Sequence, residues 1–480
     1  MIGATIDSRK TTPIRRRRLL GLGAVAVALG LAGCTGGDNG ADDDDTTADD
    51  PDSDDGAGDD PLTPGELDAE ASAFVERLHE GSFEGAEAAV AEFARSDLDA
   101  DTLEAAWTQL LAARGPFEGI VDATYGGTSD GFHRVTVQAN LADGPQDFEV
   151  SFVDGTDEVA GFFIPPMAEW DVPDYVDEDS FTEDEIALDA PEDCSLGATL
   201  SIPEGDGPFP GVVIVHGSGP VDRDATVGPN RTYKELAWGL ASRGVAVCRY
   251  DKRTFACDVD LANATIDDVT TEDALTAIDV LRDQDRVDSA AVFVAGHSLG
   301  GTLAPRIADR DGELAAIAML APAARSVADM LDQQNRHPFE LDGELTAEDE
   351  ERLAEIEATT DRIRSLDIGD DEVLFDLGGR EYFASLESYD HVETAAELDV
   401  PVLLAQGKRD WQVTADGDLP IWEEALADDP DVEFAVYDDR NHRFQVSEGA
   451  MTMAEYHEPE SPLAAPVVED VAAFVDDYAS

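Results

Sequence analysis

From residue 183 to the C-terminus, short apolar runs alternate with longer segments whose apolar residues recur every three or four positions. The short runs predict strands and the longer segments predict amphipathic helices, because side chains alternate across a strand but return to one helix face after about 3.6 residues. The predicted strands are 185–189, 196–202, 212–215, 245–250, 291–295, 315–320, 402–406 and 432–437. The helices predicted between them are 233–242, 271–284, 299–309, 419–427 and 467–478. This alternation predicts a mostly parallel, doubly wound α/β sheet.

The segment 64–166 has a different organisation, with helical patterns first and strand patterns afterwards. Helices are predicted over 66–79, 83–95 and 102–113, and strands over 117–125, 132–139, 146–153 and 159–164. Large apolar residues at helical spacing are interpreted as its core: Phe74, Leu78, Phe83, Phe93, Leu103, Trp107 and Leu110. We therefore predict a small, cone-like α+β domain, joined by an acidic linker (167–182) to the sheet domain (183–480).

No strand pattern appears between residues 323 and 397, where apolar residues repeat at helical spacing. We interpret this segment as a helical cap inserted into the sheet domain. Caps cover the catalytic edge of such a sheet, exclude water and shape the substrate pocket. Tyr382, Phe383 and Tyr389 are expected either to pack the cap on the sheet or to line that pocket.

The N-terminal residues predict export. Four arginines (15–18) precede an apolar segment over 19–31, which is shorter than the about 20 residues that a membrane span needs. We predict a signal peptide over 1–34 that ends in the lipobox Leu-Ala-Gly-Cys, with twin-arginine export. Cys34 would become the acylated first residue at the extracytoplasmic membrane face, or the segment would stay as an uncleaved anchor. Residues 35–63 are predicted to form an acidic, disordered tether.

The charge of the chain is strongly negative, with 31 basic against 107 acidic residues and a net charge of -76. In dilute buffer such a surface repels itself, whereas in molar salt the Debye length falls to about 3 Å. Disorder does not explain this charge, because 42% of the residues are hydrophobic. The composition predicts a halophilic, haloarchaeal protein and excludes nucleic acid as a partner.

Three cysteines remain after Cys34, namely Cys194, Cys248 and Cys257. An odd number cannot form a complete disulfide framework. Cys248 and Cys257 can bridge across the turn after their strand, or both can remain buried thiols. No cysteine–histidine cluster has zinc-ligand spacing, so neither a metal nor another cofactor is predicted.

An apolar, strand-like run leads into the Gly-x-Ser-x-Gly motif at 296–300 and then into a predicted helix. A serine on a sharp strand-to-helix turn sits in strained backbone, and its neighbours two positions away must lack clashing side chains. Gly296 and Gly300 meet that requirement. The helix beginning at Leu299 points its amino end at Ser298, which favours an oxyanion there. The motif predicts a nucleophile elbow for acyl transfer, the alternative being an ordinary glycine-containing loop.

Two polar residues follow predicted strands later in the chain, Asp410 and then His442. Placed at the carboxyl edge of a parallel sheet, they complete the order Ser, Asp, His. His442 is predicted to take the proton of Ser298, and Asp410 to fix the imidazole tautomer and stabilise its charged form. Asp416 and Asp418 are rival acids that lie further from the strand end.

A glycine-containing loop at 216–220, with the sequence His-Gly-Ser-Gly-Pro, follows the predicted strand 212–215. In an oxyanion hole of this kind, the amide after the nucleophile combines with one from such a loop. We predict the amides of Leu299 and Ser218 as the two donors, the alternative being a simple tight turn.

Together with Arg-Tyr-Asp-Lys-Arg at 249–253, these motifs make residues 183–480 similar to the secreted bacterial and archaeal α/β-hydrolases related to dienelactone hydrolases and serine aminopeptidases. The segment 64–166 resembles the uncharacterised module that precedes the hydrolase in many of them. The resemblance implies an α/β-hydrolase fold and esterase activity, with the Ser298, Asp410 and His442 triad. Relatives commonly continue Tyr-Asp-Lys-Arg with a glycine-rich stretch, whereas Thr-Phe-Ala-Cys follows here.

Two classes of function remain. The first is a lipid-anchored extracytoplasmic serine hydrolase that acts on a small-molecule ester, with a serine peptidase of the aminopeptidase type as its nearest rival. The second is a non-catalytic binding lipoprotein that uses the hydrolase fold as a scaffold. A complete triad with an oxyanion loop favours the first class.

Overall fold

The computed structural model describes residues 62–95, 98–129, 132–142, 144–165, 170–191, 194–341, 345–427, 429–458 and 461–479. The predicted signal peptide with Cys34, and residues 35–61 of the predicted tether, lie outside these ranges. In the ranges described, no helix is both long and apolar enough to cross a bilayer.

Helices and an antiparallel sheet form the first part of the described chain. The elements are α1 (Pro64–His79), α2 (Phe83–Glu87), α3 (Ala100–Arg114), β1 (Phe117–Ser129), β2 (Phe132–Leu141), β3 (Gly144–Val153) and β4 (Val159–Phe163). The strands pair in the order β1-β2-β3-β4, each antiparallel to the next. The apolar face of α1, with Phe74 and Leu78, packs against this sheet. The predicted small α+β domain is confirmed.

The second predicted helix ends early, at Glu87. Val159 exchanges backbone hydrogen bonds with Ala89 (2.8 Å) and Ala91 (2.9 Å), so pairing with β4 overrides the local helical preference. Only a short 3₁₀ turn follows. The expectation that Phe93 lies in the core is wrong, because its side chain is 47% exposed.

An eight-stranded sheet forms the second part. Its strands are β5 (Phe181–Asp189), β6 (Ser195–Pro203), β7 (Phe209–Val215), β10 (Ala246–Tyr250), β11 (Val287–His297), β12 (Ala316–Leu320), β13 (Val402–Gly407) and β14 (Val432–Tyr437). A separate small hairpin between β7 and β10 consists of β8 (Thr226–Val227) and β9 (Asn230–Arg231). The order is β5-β6-β10-β7-β11-β12-β13-β14. β6 runs antiparallel to both of its neighbours, β5 and β10, and the strands from β10 to β14 in this order run parallel to one another.

Helices cover both faces of this sheet. They are α4 (Thr232–Ala241), α5 (Arg253–Ala256), α6 (Glu272–Arg282), α7 (Leu299–Asp311), α8 (Val327–Glu340), α9 (Ala347–Ser365), α10 (Arg380–Glu387), α11 (His391–Glu397), α12 (Ala415–Ala425) and α13 (Ala465–Tyr478). Because side chains alternate across a strand, Val213 and Val292 pack with α6 and α7, whereas Val212 and Phe293 pack with α4 and α13. The predicted α/β fold is confirmed.

The segment between β12 and β13 contains the helices α8 to α11. Tyr382, Phe383 and Tyr389 of this segment are buried in the same apolar layer as α6 and α7. The segment therefore packs on one face of the sheet, close to the ends of the parallel strands.

A disulfide joins Cys194 to Cys257, with Cα atoms 6.2 Å apart, and Cys248 is a buried thiol. The pairing of Cys248 with Cys257 considered from their closeness in sequence is wrong. The Cys248 side chain points from the middle of β10 into the apolar layer, while Cys257 follows α5 and lies beside the turn between β5 and β6.

Candidate active site

Four parallel strands end at one edge of the sheet, and a predicted site residue follows each of them. Ser218 follows β7, Ser298 follows β11, Asp410 follows β13 and His442 follows β14. The neighbouring strands β7 and β11 lead outward in opposite directions, β7 to β10 and β11 to β12. Such a switch point leaves a crevice at the carboxyl ends of the strands, where ligands bind in open α/β sheets.

Ser298 occupies a strained turn between β11 and α7. Its backbone has φ 55° and ψ -118°, a combination that residues with a side chain rarely adopt. A Cβ atom on Gly296 would lie 2.1 Å from the carbonyl oxygen of Gly300, and one on Gly300 would lie 2.4 Å from that of Val215. The Ser298 N–H donates to the carbonyl oxygen of Leu320 at 2.8 Å. The backbone therefore has the form of a nucleophile elbow, with glycine required on both sides.

The loop after β7 lies against this elbow, since a Cβ atom on Gly217 would be 3.2 Å from Cβ of Ser298. The Gly217 N–H donates to the hydroxyl of Tyr233 (3.0 Å), so it is not available to a substrate. Among the described residues, the N–H groups of Ser218 and Leu299 meet no protein acceptor, and both residues line one cavity with Ser298. These two amides are placed to receive an oxyanion.

Asp410 and His442 form a buried pair, with Nδ1 of His442 2.7 Å from Oδ2 of Asp410. The other carboxylate oxygen accepts the N–H groups of Gln412 and Val413, both at 2.9 Å. The carboxylate thus makes Nδ1 the donor and leaves Nε2 to accept a proton. His442 lies beside the elbow, because its carbonyl oxygen is 2.9 Å from Nε2 of His297.

The rival carboxylates lie elsewhere. Asp418 is fully buried, but it is paired with Arg325 at 2.8 Å and accepts the N–H of Ala324 at 2.9 Å. It therefore holds the chain segment that follows β12. Asp416 is exposed in the first turn of α12. Of the three candidate acids, Asp410 is the one that contacts His442.

A cavity of about 260 Å³ opens over Ser298. Residues near the sheet edge form its floor, and residues of α8, α10 and α11 with their connections form its walls. The lining side chains include apolar ones, Leu299, Val327, Met330, Leu377, Leu386 and Val392, and polar ones, Arg325, Glu387, Asp390 and His391. Tyr382 and Tyr389 also line the cavity, whereas Phe383 is buried in the core.

A buried lysine lies behind the loop that follows β7, and no role for it was predicted from the sequence. Nζ of Lys252 donates to the carbonyl oxygen of Gly217 at 2.6 Å. Burial lowers the pKa of Lys252 from 10.5 to about 7, against the attraction of Asp273. The adjacent His216 contacts the carbonyl oxygen of Tyr250, and burial lowers its pKa to about 3. The motif at 249–253 was visible in the sequence, but lysine is normally exposed, so its inward direction was not.

Replacing Lys252 by methionine should change how stability depends on pH. The folded-state pKa of Lys252 is lower than its unfolded value, so between about pH 7 and 10.5 the unfolded chain binds more protons and stability rises with pH. We expect the free energy of unfolding of the wild type, minus that of Lys252→Met, to rise across this interval. Denaturant titrations at several pH values measure it. Lys408→Met, which removes an exposed lysine, is the matched control, and a flat difference for Lys252 would contradict the prediction.

Comparison with known proteins places these residues in a family. Residues 212–447 match the family described as serine aminopeptidase, S33. Esterase EstD of Thermotoga maritima is 36% identical over 404 residues, which span 82% of this chain and 91% of that protein. The chain belongs to the α/β-hydrolase esterases. It is a serine hydrolase of the carboxylesterase type.

Solved structures of α/β-hydrolase esterases are similar at low sequence identity. The Pyrococcus furiosus esterase Pf2001 is 16% identical with a TM-score of 0.41, covering 66% of this chain and 97% of its own. Est1E from Butyrivibrio proteoclasticus, solved with ferulic acid, is 17% identical with a TM-score of 0.42, covering 61% and 98%.

Proposed function

We propose that this α/β-hydrolase esterase cleaves carboxylic esters with Ser298 as nucleophile, His442 as general base and acid, and Asp410 as the carboxylate that orients the imidazole. The observation that carries the proposal is the buried 2.7 Å bond between His442 and Asp410 beside the strained serine turn. A serine hydroxyl is a weak nucleophile until an imidazole takes its proton, and this arrangement supplies one.

In the first half of the reaction, Oγ of Ser298 attacks the ester carbonyl carbon while Nε2 of His442 takes the hydroxyl proton. The carbonyl oxygen becomes an oxyanion that accepts the N–H groups of Ser218 and Leu299, and Leu299 is also the first residue of α7, where the helix dipole favours negative charge. The alcohol then leaves with the proton from His442. In the second half, a water molecule activated by His442 attacks the acyl-enzyme and releases the acid.

Labelling by a fluorophosphonate tests this mechanism, because the reagent reacts only with an activated serine. We expect mass spectrometry to find the phosphonyl group on the peptide that contains Ser298. The variant Ser218→Ala should retain labelling, since its oxyanion donor is the backbone amide. Labelling of another serine, or no labelling of Ser298, would overturn the assignment.

A second candidate is an aminopeptidase, which the serine aminopeptidase likeness favours. Glu387 and Asp390 line the cavity and supply the carboxylates that a free α-amino group requires. Rates with acyl p-nitrophenyl esters and with aminoacyl p-nitroanilides separate the two substrates. If the peptidase activity is the principal one, the anilides are the better substrates and Glu387→Gln lowers their kcat/KM while leaving ester hydrolysis near the wild-type rate.

We also propose that the protein is anchored by a lipid on Cys34 at the extracytoplasmic face of the membrane, after twin-arginine export. A diacylated cysteine supplies two chains, and each buried methylene adds about 0.8 kcal/mol of membrane affinity. Cys34→Ser should therefore release the protein from the membrane fraction or leave an unprocessed precursor. Cell fractionation measures this, and unchanged processing with membrane retention would contradict the anchor.

High salt is the environment that the charge favours, and we propose that the protein is halophilic. Many arginines of the described residues already form ion pairs with nearby carboxylates, for example Arg249 with Glu183 and Asp224. Because acidic residues outnumber basic ones 107 to 31, most carboxylates have no basic residue to neutralise them. We expect cooperative unfolding and esterase rate to decline as KCl falls toward about 0.1 M, where the Debye length is about 10 Å. Circular dichroism and rate measurements across salt at fixed pH test this. Full structure and full rate in dilute buffer would contradict it.

A further inference from the structure

Four consecutive hydrogen bonds run behind the active-site residues. Nζ of Lys252 donates to the carbonyl oxygen of Gly217 (2.6 Å), and the N–H of Gly217 donates to the hydroxyl of Tyr233 (3.0 Å). That hydroxyl lies 3.1 Å from Nδ1 of His297, whose Nε2 lies 2.9 Å from the carbonyl oxygen of His442. We call this series the Tyr233–His297 relay.

The protons of the Tyr233–His297 relay have one consistent arrangement. The groups that flank the side chains of Tyr233 and His297 have fixed polarity, because the Gly217 N–H can only donate and the His442 carbonyl can only accept. Nε2 of His297 must therefore carry the proton, which makes Nδ1 an acceptor and the Tyr233 hydroxyl its donor. Burial lowers the pKa of His297 well below its ordinary value, with the nearby His442 as a second cause, so the neutral ring is retained.

The bonds of the relay connect residues that are at, or next to, active-site groups. Gly217 precedes the oxyanion donor Ser218, His297 precedes the nucleophile Ser298, and His442 is itself the proposed base. These three residues follow or end different strands, β7, β11 and β14. Tyr233 reaches them from α4 and is buried, as is His297, so water does not replace these bonds.

We propose that Tyr233 and His297 are positioning residues, which hold the oxyanion loop, the elbow and the histidine loop at the separation that the reaction needs. The proposal rests on the triad of the proposed function. Active-site groups must be held within about 0.5 Å of their productive geometry, and a misplacement of about 1 Å can cost about 100-fold in rate. Neither residue lines the cavity, so substrate affinity should be nearly independent of the relay.

The matched pair Tyr233→Phe and Tyr250→Phe tests this. Both tyrosines are buried and both rings contact His216, with centroids 5.7 Å and 4.6 Å away, but the hydroxyl of Tyr250 has no hydrogen-bond partner among the residues that the structure describes. We expect Tyr233→Phe to lower kcat about tenfold or more with KM within about twofold, and Tyr250→Phe to leave both within about twofold. Equal kinetics of the two variants would overturn the proposal.

A double-mutant cycle provides the second measurement. In His297→Asn, the side-chain oxygen can still accept from Tyr233, but the donor toward His442 is lost. If both residues act through one relay, His297→Asn should cost much less kcat when Tyr233 is already phenylalanine, whereas independent packing effects would multiply. If the losses of kcat in the two single variants multiply in the double variant, the proposal is overturned. If Tyr233→Phe does not fold, the kcat of His297→Asn alone still tests the proposal.

Failure of the relay and failure of the triad are distinguishable. If Ser298→Ala is inactive while Tyr233→Phe behaves like Tyr250→Phe, the triad stands and the positioning role is rejected. If Ser298→Ala retains activity, the triad itself is rejected. The rate of fluorophosphonate labelling, which needs no leaving alcohol, should follow kcat across the Tyr233 and His297 variants if the relay positions the nucleophile and its base.

Discussion

Replacing Ser298 by alanine is expected to abolish ester hydrolysis, with a loss of at least about 10⁴-fold in kcat. The substitution removes the atom that forms the acyl-enzyme, and the oxyanion donors cannot supply another covalent route. Alanine fits the same backbone site, and the elbow is held by the flanking glycines and by the bond from the Ser298 N–H to Leu320, both independent of the hydroxyl. Ester turnover and thermal unfolding are the two measurements.

The matched control for this prediction is Ser218→Ala, a second cavity serine whose hydroxyl has no assigned chemical role. It should keep kcat within a few-fold of the wild type. Wild-type turnover by Ser298→Ala would contradict the nucleophile assignment. If the variant lost turnover because it failed to fold, its unfolding temperature would fall as well.

Asp410→Asn is expected to lower kcat by about 10⁴-fold, as loss of the equivalent charge does in the protease triad. The new amide oxygen can still accept the N–H groups of Gln412 and Val413, so its NH₂ group faces Nδ1 of His442. Nδ1 must then accept, which places the imidazole proton on Nε2, where it cannot take the serine proton. The charge that stabilises the imidazolium is lost as well.

Two neighbouring aspartates are controls for Asp410. Asp416→Asn changes an exposed side chain and should leave kcat and stability near the wild-type values. Asp418→Asn breaks a buried ion pair with Arg325, so it should lower the unfolding temperature and alter KM through the cavity wall. A larger loss of kcat in either control than in Asp410→Asn would mean that the acid is misassigned.

Features encoded by local sequence were predictable. The elbow depends on two glycines that lie two residues from Ser298, and the strands around it are long apolar runs bounded by polar turns. Asp410 and His442 were predicted as acid and base because each follows such a run in the order that the fold requires, and the structure brings their side chains into contact. Asp418 could be set aside only after the structure placed Arg325 against it.

Features that depend on distant contacts were not predictable. Tyr233 lies 64 residues from His297, and only the folded sheet brings the two side chains together. The disulfide joins Cys194 and Cys257 across 63 residues, so closeness in sequence favoured the wrong partner. The early end of α2 likewise depends on Val159, a residue of β4, because local helical preference is weaker than a pair of buried backbone hydrogen bonds.

The walls of the cavity come mainly from one contiguous insertion between β12 and β13, whereas the proposed catalytic groups come from the loops that follow β7, β11, β13 and β14. The residues proposed for the chemistry and most residues that shape the substrate pocket therefore lie in different segments of the chain. Substitutions of insertion residues that line the cavity, such as Met330 and Leu386, are expected to change substrate choice more than the position of the nucleophile or the base. Exchange of this one segment is therefore expected to alter the substrate pocket while the strands that carry the proposed catalytic groups stay the same.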